Sequence, residues 1–194
     1  MSNHNIKAIT KELKTQILIL GAFVAILGTL ELIDQLLFAG ELNRYGIRPR
    51  TLAGLKGILF APFLHGDFEH LIANIIPLIT LGWFVMLREI SDFFIVTSVS
   101  MVVGGLGTWL IGQPGSVHIG ASSLVFGYLG FLLLRGYFEG SFTAMALSAA
   151  AFTLYGGTII GMFPNQPGIS WQGHLFGFIG GILAARLLVS PHES

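Results

Sequence analysis

Three short groups of polar residues carry side chains that could take part in acid–base or nucleophilic chemistry. The first, residues 65–74, includes two histidines and an asparagine; the second, 118–123, has one histidine and two serines; the third, 171–174, ends in His174. A serine hydroxyl becomes an effective nucleophile when a neighbouring histidine accepts its proton. The sequence therefore holds the residue types for base-activated serine chemistry, if the fold brings these groups together.

The composition indicates the kind of protein that must position them. The chain has 194 residues, of which 53% are hydrophobic and 10% charged, with a net charge of zero. A soluble domain carries roughly 25% charged residues, so we predict an integral membrane protein. The balanced charge argues against a nucleic-acid partner. Because cysteine is absent, disulfides, thiolate metal sites and cysteine nucleophiles are excluded.

The spacing of the charges predicts where the chain crosses the membrane. Residues 93–134 and 140–185 form stretches of 42 and 46 residues that contain one histidine each and no Asp, Glu, Lys or Arg. A membrane span needs about 20 mostly apolar residues, so each stretch can hold two helices and a turn. Gly/Pro-rich segments at 112–116 and 164–168 supply the turns.

We therefore predict an all-α membrane protein with a bundle of six transmembrane helices. The expected spans are 15–37, 70–88, 93–111, 121–138, 142–162 and 172–189. They make one domain, 15–189, between a short N-terminal segment, 1–14, and a C-terminal tail, 190–194. The connection 39–64 mixes arginines with large apolar residues, which is typical of a loop partly embedded in the membrane interface.

The polar groups open the second, fourth and sixth spans. Because successive spans alternate in direction, these three starts lie at the same membrane face. His70, Asn74, Ser122 and His174 are therefore expected at similar depth. Polar side chains inside a membrane point by default to a functional site.

Small residues indicate that the fourth and sixth spans approach each other closely. Gly177 and Gly181 follow His174 on the same helical face, and Gly127 and Gly130 are in the fourth span. Such residues let helix backbones touch, which would bring a serine hydroxyl within reach of a histidine nitrogen.

Each feature also has an ordinary structural interpretation. Histidines near helix ends often only form interfacial hydrogen bonds, which is our interpretation of His118. Glycine stripes often mean no more than helix packing. A small channel or transporter could use His70, Asn74 and His174 as a polar path. The two longest uncharged stretches hold no carboxylate at mid-membrane, which makes that function the least favoured.

Taken together, the motifs resemble those of the rhomboid family of intramembrane serine proteases, over nearly the whole chain. The first is the family's spacing of His65, His70 and Asn74, and the last is Gly173-His174 followed by two glycines. The nucleophile motif reads Gly-Ala-Ser-Ser at 120–123, with Ser123 where the family has glycine. A Trp-Arg pair common in the family's first loop is also missing.

The resemblance implies a rhomboid-like fold and an intramembrane serine endopeptidase that cleaves transmembrane segments of other membrane proteins. Ser122 would be the nucleophile and His174 the general base. The Ser122 N–H, His70 and Asn74 would stabilise the oxyanion. Supporting roles would fall to His65, Gly120, Phe126, Gly177 and Gly181. We expect no metal and no cofactor, because His70 and His174 have assigned roles and no carboxylate joins them with ligand spacing. The short connection 164–172 could act as a lid.

The expected location is a bacterial plasma membrane, with an uncleaved first span. Six of the ten Lys and Arg residues would lie on the side of the termini, which favours cytoplasmic termini. The partners would be the lipid bilayer and transmembrane substrates, and the oligomeric state is not predicted. The alternative is a catalytically inactive rhomboid-like protein that binds membrane helices, since Ser123 departs from the motif.

Overall fold

The computed structural model describes residues 3–164 and 168–189, and the regular structure in these residues is helical. The seven α-helices are α1 (Asn3–Ile33), α2 (Leu52–Phe60), α3 (Phe68–Met86), α4 (Ile90–Ile111), α5 (Ser122–Glu139), α6 (Phe142–Tyr155) and α7 (Trp171–Leu188). A π-helical turn, Asp34–Phe38, ends α1, and 3₁₀ segments occupy Glu41–Tyr45, Ala61–Phe63 and Gly156–Met162. The prediction of an all-α protein is confirmed.

The chain is a multi-pass membrane protein. Among the described residues, four helical segments are long and apolar enough to cross a bilayer: Asn5–Phe38, Phe68–Met86, Ile90–Ile111 and Phe142–Met162. The other two predicted spans fall on α5 and α7, which have 18 residues each. These two are less apolar as a whole, since they lie within the bundle rather than around it.

The centre of the bundle is α5, which packs against α3, α4, α6 and α7. The closest approach is between α5 and α7, where backbone meets backbone. A Cβ on Gly181 would overlap the carbonyl oxygen of Gly127, and a Cβ on Gly177 would overlap that of Ser123. The predicted approach of the fourth and sixth spans therefore occurs, and glycine makes it possible.

The connection 39–64 is not only a loop, contrary to the sequence prediction. It contains α2, whose start is capped by the Thr51 hydroxyl accepting a hydrogen bond from the Gly54 N–H at 3.0 Å. Gly54 and Gly57 let one face of α2 pack directly against the backbone of residues 46–48. The opposite face exposes Leu52 and Leu59. The sequence analysis did not predict α2, because a helix of nine residues is too short for a clear pattern of apolar residues.

An ion-pair network joins the α3–α4 turn to the C-terminal end of α5, which is the end far from Ser122. The buried Arg135 pairs with Asp92 of α4 and, at 3.0 Å, with Glu139. Glu139 also pairs with Arg88 at 2.9 Å. The network ties the α3–α4 turn to the end of α5, with each buried charge paired.

Candidate active site

The Ser122 hydroxyl and the His174 imidazole are in direct contact. Ser122 is the first residue of α5, and His174 lies in the first turn of α7. The distance between Ser122 Oγ and His174 Nε2 is 2.9 Å, a hydrogen-bond distance. The two helices thus bring together groups that are 52 positions apart in the chain.

The other ring nitrogen of His174 determines what Nε2 can do. His174 Nδ1 lies 2.9 Å from the carbonyl oxygen of Gly161, which can only accept a hydrogen bond. Nδ1 therefore carries the proton, and in the neutral ring Nε2 is left as an acceptor for the Ser122 hydroxyl. This is the tautomer that a general base needs.

An aromatic ring stacks on one face of the His174 imidazole. Phe126, one turn after Ser122, stacks on His174 with ring centroids 4.2 Å apart and an interplanar angle of 13°. The stack and the Gly161 carbonyl together fix both the plane and the in-plane rotation of the base. Phe126 is one of the residues to which the family resemblance gives a supporting role.

The loop before Ser122 is held by three contacts. The Gly120 N–H donates to the carbonyl of Ala61 at 2.8 Å, and the Ala121 N–H donates to His65 Nε2 at 3.3 Å. Gly120 has a φ of +109°, and a Cβ there would lie 2.8 Å from the His70 ring, so only glycine fits. His65 thus contacts the loop rather than the dyad.

His65 is fully buried, and burial is the main reason that its pKa falls to about 4, with a further lowering from nearby His70. The ring is therefore neutral at neutral pH. Neutrality keeps Nε2 available as the acceptor for the Ala121 N–H.

His70 and Asn74 flank the same loop from the start of α3. His70 Nδ1 accepts from the Gly66 N–H at 3.4 Å, so the neutral ring carries its proton on Nε2, the atom beside Gly120. Asn74 donates one amide N–H to the His70 carbonyl at 2.8 Å and has a second to offer. The first N–H groups of a helix have no partner within it, which leaves that of Ser122 available as well.

These groups line one open cavity of about 870 Å³. Its walls include His70, Asn74, Ser122, Phe126, Trp171 and His174. The cavity therefore holds a hydroxyl in contact with an imidazole acceptor, together with N–H donors, which are the groups needed for nucleophilic attack on a carbonyl.

Comparison with known proteins decides the family. The sequence profile of the Rhomboid domain matches residues 52–191. This chain belongs to the rhomboid family. The matched part runs from α2 past the end of α7 and includes every residue of the site described above.

Similar proteins occur in bacteria, and one of them is named as a rhomboid. The rhomboid is 45% identical over 179 residues to an uncharacterised protein of Mycobacterium tuberculosis (strain H37Rv), covering 88% of this chain and 74% of the relative. An uncharacterised protein of Mycobacterium leprae is 44% identical over 88% of this chain and 70% of the relative. A Bacillus subtilis protein named "Putative rhomboid protease YdcA" is 30% identical over 67% of this chain and 65% of its own length.

The serine that replaces the motif glycine lies against α4. A Cβ placed on Gly104 of α4 would lie 3.3 Å from the Cβ of Ser123. Ser122 and Ser123 both line a small void between α2, α4, α5 and α7. In this rhomboid the two serines therefore differ in their partners, since the hydroxyl at 2.9 Å from His174 Nε2 is that of Ser122.

Sequence reasoning missed the Gly161 carbonyl, because a backbone group leaves no signal in residue types. It also treated His118 only as an interfacial hydrogen-bonding residue. Part of the predicted lid, residues 165–167, lies outside the described residues. Within those that are described, no group of three His, Asp or Glu side chains is arranged to hold a metal ion.

Proposed function

We propose that this rhomboid is a serine endopeptidase that hydrolyses peptide bonds inside the membrane, with Ser122 as nucleophile and His174 as general base. The observation that carries the proposal is the 2.9 Å contact between Ser122 Oγ and His174 Nε2. The Gly161 carbonyl supports it by favouring the acceptor tautomer of Nε2.

The reaction divides into acylation and deacylation. Ser122 Oγ attacks the peptide carbonyl carbon while its proton passes to His174 Nε2, and the C–N bond breaks as that proton moves to the leaving amine. Water then attacks the carbonyl carbon of the Ser122 ester while His174 accepts its proton. The bond between this carbon and Oγ breaks, His174 returns the proton to Oγ, and the new carboxyl end of the substrate leaves. The Gly161 carbonyl stabilises the imidazolium in both halves through Nδ1–H.

Three hydrogen-bond donors would stabilise the negative charge that develops on the carbonyl oxygen of the substrate. They are the Ser122 backbone N–H, the Nε2–H of His70 and the free amide N–H of Asn74. The start of α5 adds the positive end of its helix dipole. Removing one such donor typically lowers the rate by about 10²–10³.

The substrate class follows from the surroundings of the cavity. We propose six membrane-spanning helices, with α5 and α7 enclosed by the apolar helices. The site lies where α3, α5 and α7 begin, so water would enter from that face. A substrate would be the transmembrane segment of another protein whose peptide bond becomes accessible where its helix unwinds.

The proposed setting is a bacterial plasma membrane with both termini in the cytoplasm. Lys7, Lys11 and Lys14 precede the predicted first span, 15–37, and lie exposed on α1, which agrees with the preference of positive charge for the cytoplasmic side. The cavity would then open toward the outer face.

A serine-directed probe tests the proposal. Purified full-length protein would be treated with a fluorophosphonate and, in liposomes, given a transmembrane reporter. We expect labelling and cleavage by the wild type, and neither by Ser122→Ala. Absence of both in the wild type would favour the inactive helix-binding alternative, and ion flux that survives Ser122→Ala would favour transport.

A further inference from the structure

The His118 ring lies between two serine side chains outside the dyad. Its Nδ1 is 2.7 Å from Ser170 Oγ, and its Nε2 is 2.8 Å from Ser116 Oγ. Ser116 already donates its proton to the Gln113 carbonyl at 2.6 Å, so toward His118 it can only accept. Nε2 therefore carries the proton, and Nδ1 accepts the Ser170 hydroxyl.

The backbone of His118 is held as firmly as its ring. His118 and Ile47 exchange two backbone hydrogen bonds of 2.9 Å each. Gly46 packs so closely that a Cβ there would lie 2.6 Å from the His118 carbonyl oxygen. The ring therefore projects from a fixed point, four residues before Ser122.

At the other end of this hydrogen bond, Ser170 is the residue immediately before α7. The Ser170 carbonyl accepts from the His174 N–H at 3.2 Å, so Ser170 lies one helical turn before the base. Any shift of Ser170 is transmitted to His174 through this turn. The hydrogen bond between His118 and Ser170 thus joins the segment that leads to the nucleophile with the segment that leads to the base.

We propose that His118 is a positioning residue, which holds Ser170 and thereby fixes the separation of Ser122 and His174. The proposal rests on the proposed function, because it concerns the same dyad. On one side of the dyad, Gly177 packs on the Ser123 backbone. On the other side, the His118–Ser170 hydrogen bond fixes the spacing. A misplacement of about 1 Å can lower a rate by about 10².

The test is a double-mutant cycle on the rate of fluorophosphonate labelling. His118→Ala and Ser170→Ala should each slow labelling about tenfold. The double variant should be no slower than either single variant, because both remove the same hydrogen bond. Ser98→Ala, at an exposed serine of α4, is the matched control and should label at the wild-type rate.

A conservative variant separates positioning from general damage to the fold. In His118→Asn the amide oxygen takes the place of Nδ1 and can still accept the Ser170 hydroxyl, so labelling should recover most of the lost rate. Thermal unfolding of each variant, and the fraction of protein finally labelled, should remain close to wild type. If His118→Ala does not fold, Ser170→Ala and His118→Asn carry the test.

Two results would overturn the inference in different ways. If the wild type labels and the single variants label at the same rate, His118 does not position the dyad. The same conclusion follows if the losses of the single variants multiply in the double variant. In both cases the protease function would stand. A wild type that never labels would overturn both.

Discussion

Ser122 and Ser123 are consecutive in the chain, yet their side chains meet different helices. The Ser122 hydroxyl contacts His174 of α7, whereas the Ser123 side chain faces Gly104 of α4. Successive positions of a helix point about 100° apart, which directs the two side chains toward different helices. The departure from the family motif therefore lies on the face of α5 that meets α4, next to the serine that contacts His174.

Restoring the motif glycine should leave catalysis nearly unchanged. In Ser123→Gly, cleavage of a transmembrane reporter should stay within about threefold of wild type, because no contact of His174 is altered. The folded state should lose up to about 1 kcal/mol, since glycine is a poorer helix residue than serine. A rise in cleavage of tenfold or more would mean that Ser123 does hinder the dyad.

Asn74→Ala should lower kcat by about 10²–10³ and change KM little, because the amide is expected to act on the oxyanion of the transition state. Steady-state cleavage of the reporter in liposomes measures both constants. The matched control is Asn43→Ala, which changes an asparagine of the 3₁₀ segment Glu41–Tyr45 outside the cavity. A raised KM with unchanged kcat would assign Asn74 to substrate binding instead.

Gly181→Ala should destabilise the protein by about 1–3 kcal/mol or more, because the new methyl group would overlap the Gly127 carbonyl and push α5 from α7. Gly28→Ala is the control, since a Cβ on this α1 glycine meets nothing within 4 Å. Thermal unfolding in detergent compares the two. Equal midpoints for both variants would show that the α5–α7 contact is looser than described.

The buried His65 should make stability fall as the solution becomes acidic. Its folded pKa of about 4 is below the ordinary value of 6.5, so between these values the unfolded chain binds a proton that the folded chain does not. The His65 contribution is complete above pH 6.5 and is lost progressively toward pH 4. From pH 7 to pH 5 the loss is about 2 kcal/mol.

His65→Gln isolates this contribution, because the glutamine amide oxygen can still accept the Ala121 N–H but does not titrate. The free energy of unfolding of wild type and variant, measured by denaturant titration at both pH values, gives the difference. A variant with the same pH dependence as wild type would exclude His65 as its source.

The sequence could predict the helices better than the contacts between them. Charge spacing located helices at all six expected spans, because burial of charge in a membrane is costly over every residue of a span. The nine-residue α2 was missed, since it is held by the Thr51 cap and by Gly54 and Gly57 against a loop rather than by a long apolar period.

The dyad could be anticipated because Ser122 and His174 both have characteristic side chains at helix starts. The hydrogen bond between His118 and Ser170 could not, since both residues precede the helices and lie in segments without a helical period. Their contact depends on how the 112–120 segment folds against Ile47, which only the tertiary structure shows.

The group that orients His174 at Gly161 is a backbone carbonyl and not a side chain, and this affects which sequence changes the site can tolerate. Point substitution cannot delete a carbonyl, so relatives could differ at this position and still orient the base. Their choice would be limited by size, because a Cβ at 161 would lie 3.1 Å from His174 Nδ1. A one-residue deletion within Gly156–Met162 is different, since a 3₁₀ helix turns about 120° per residue and would rotate the carbonyl away. We therefore expect a change in the length of that segment to disturb the orientation of His174 more than a change in its composition.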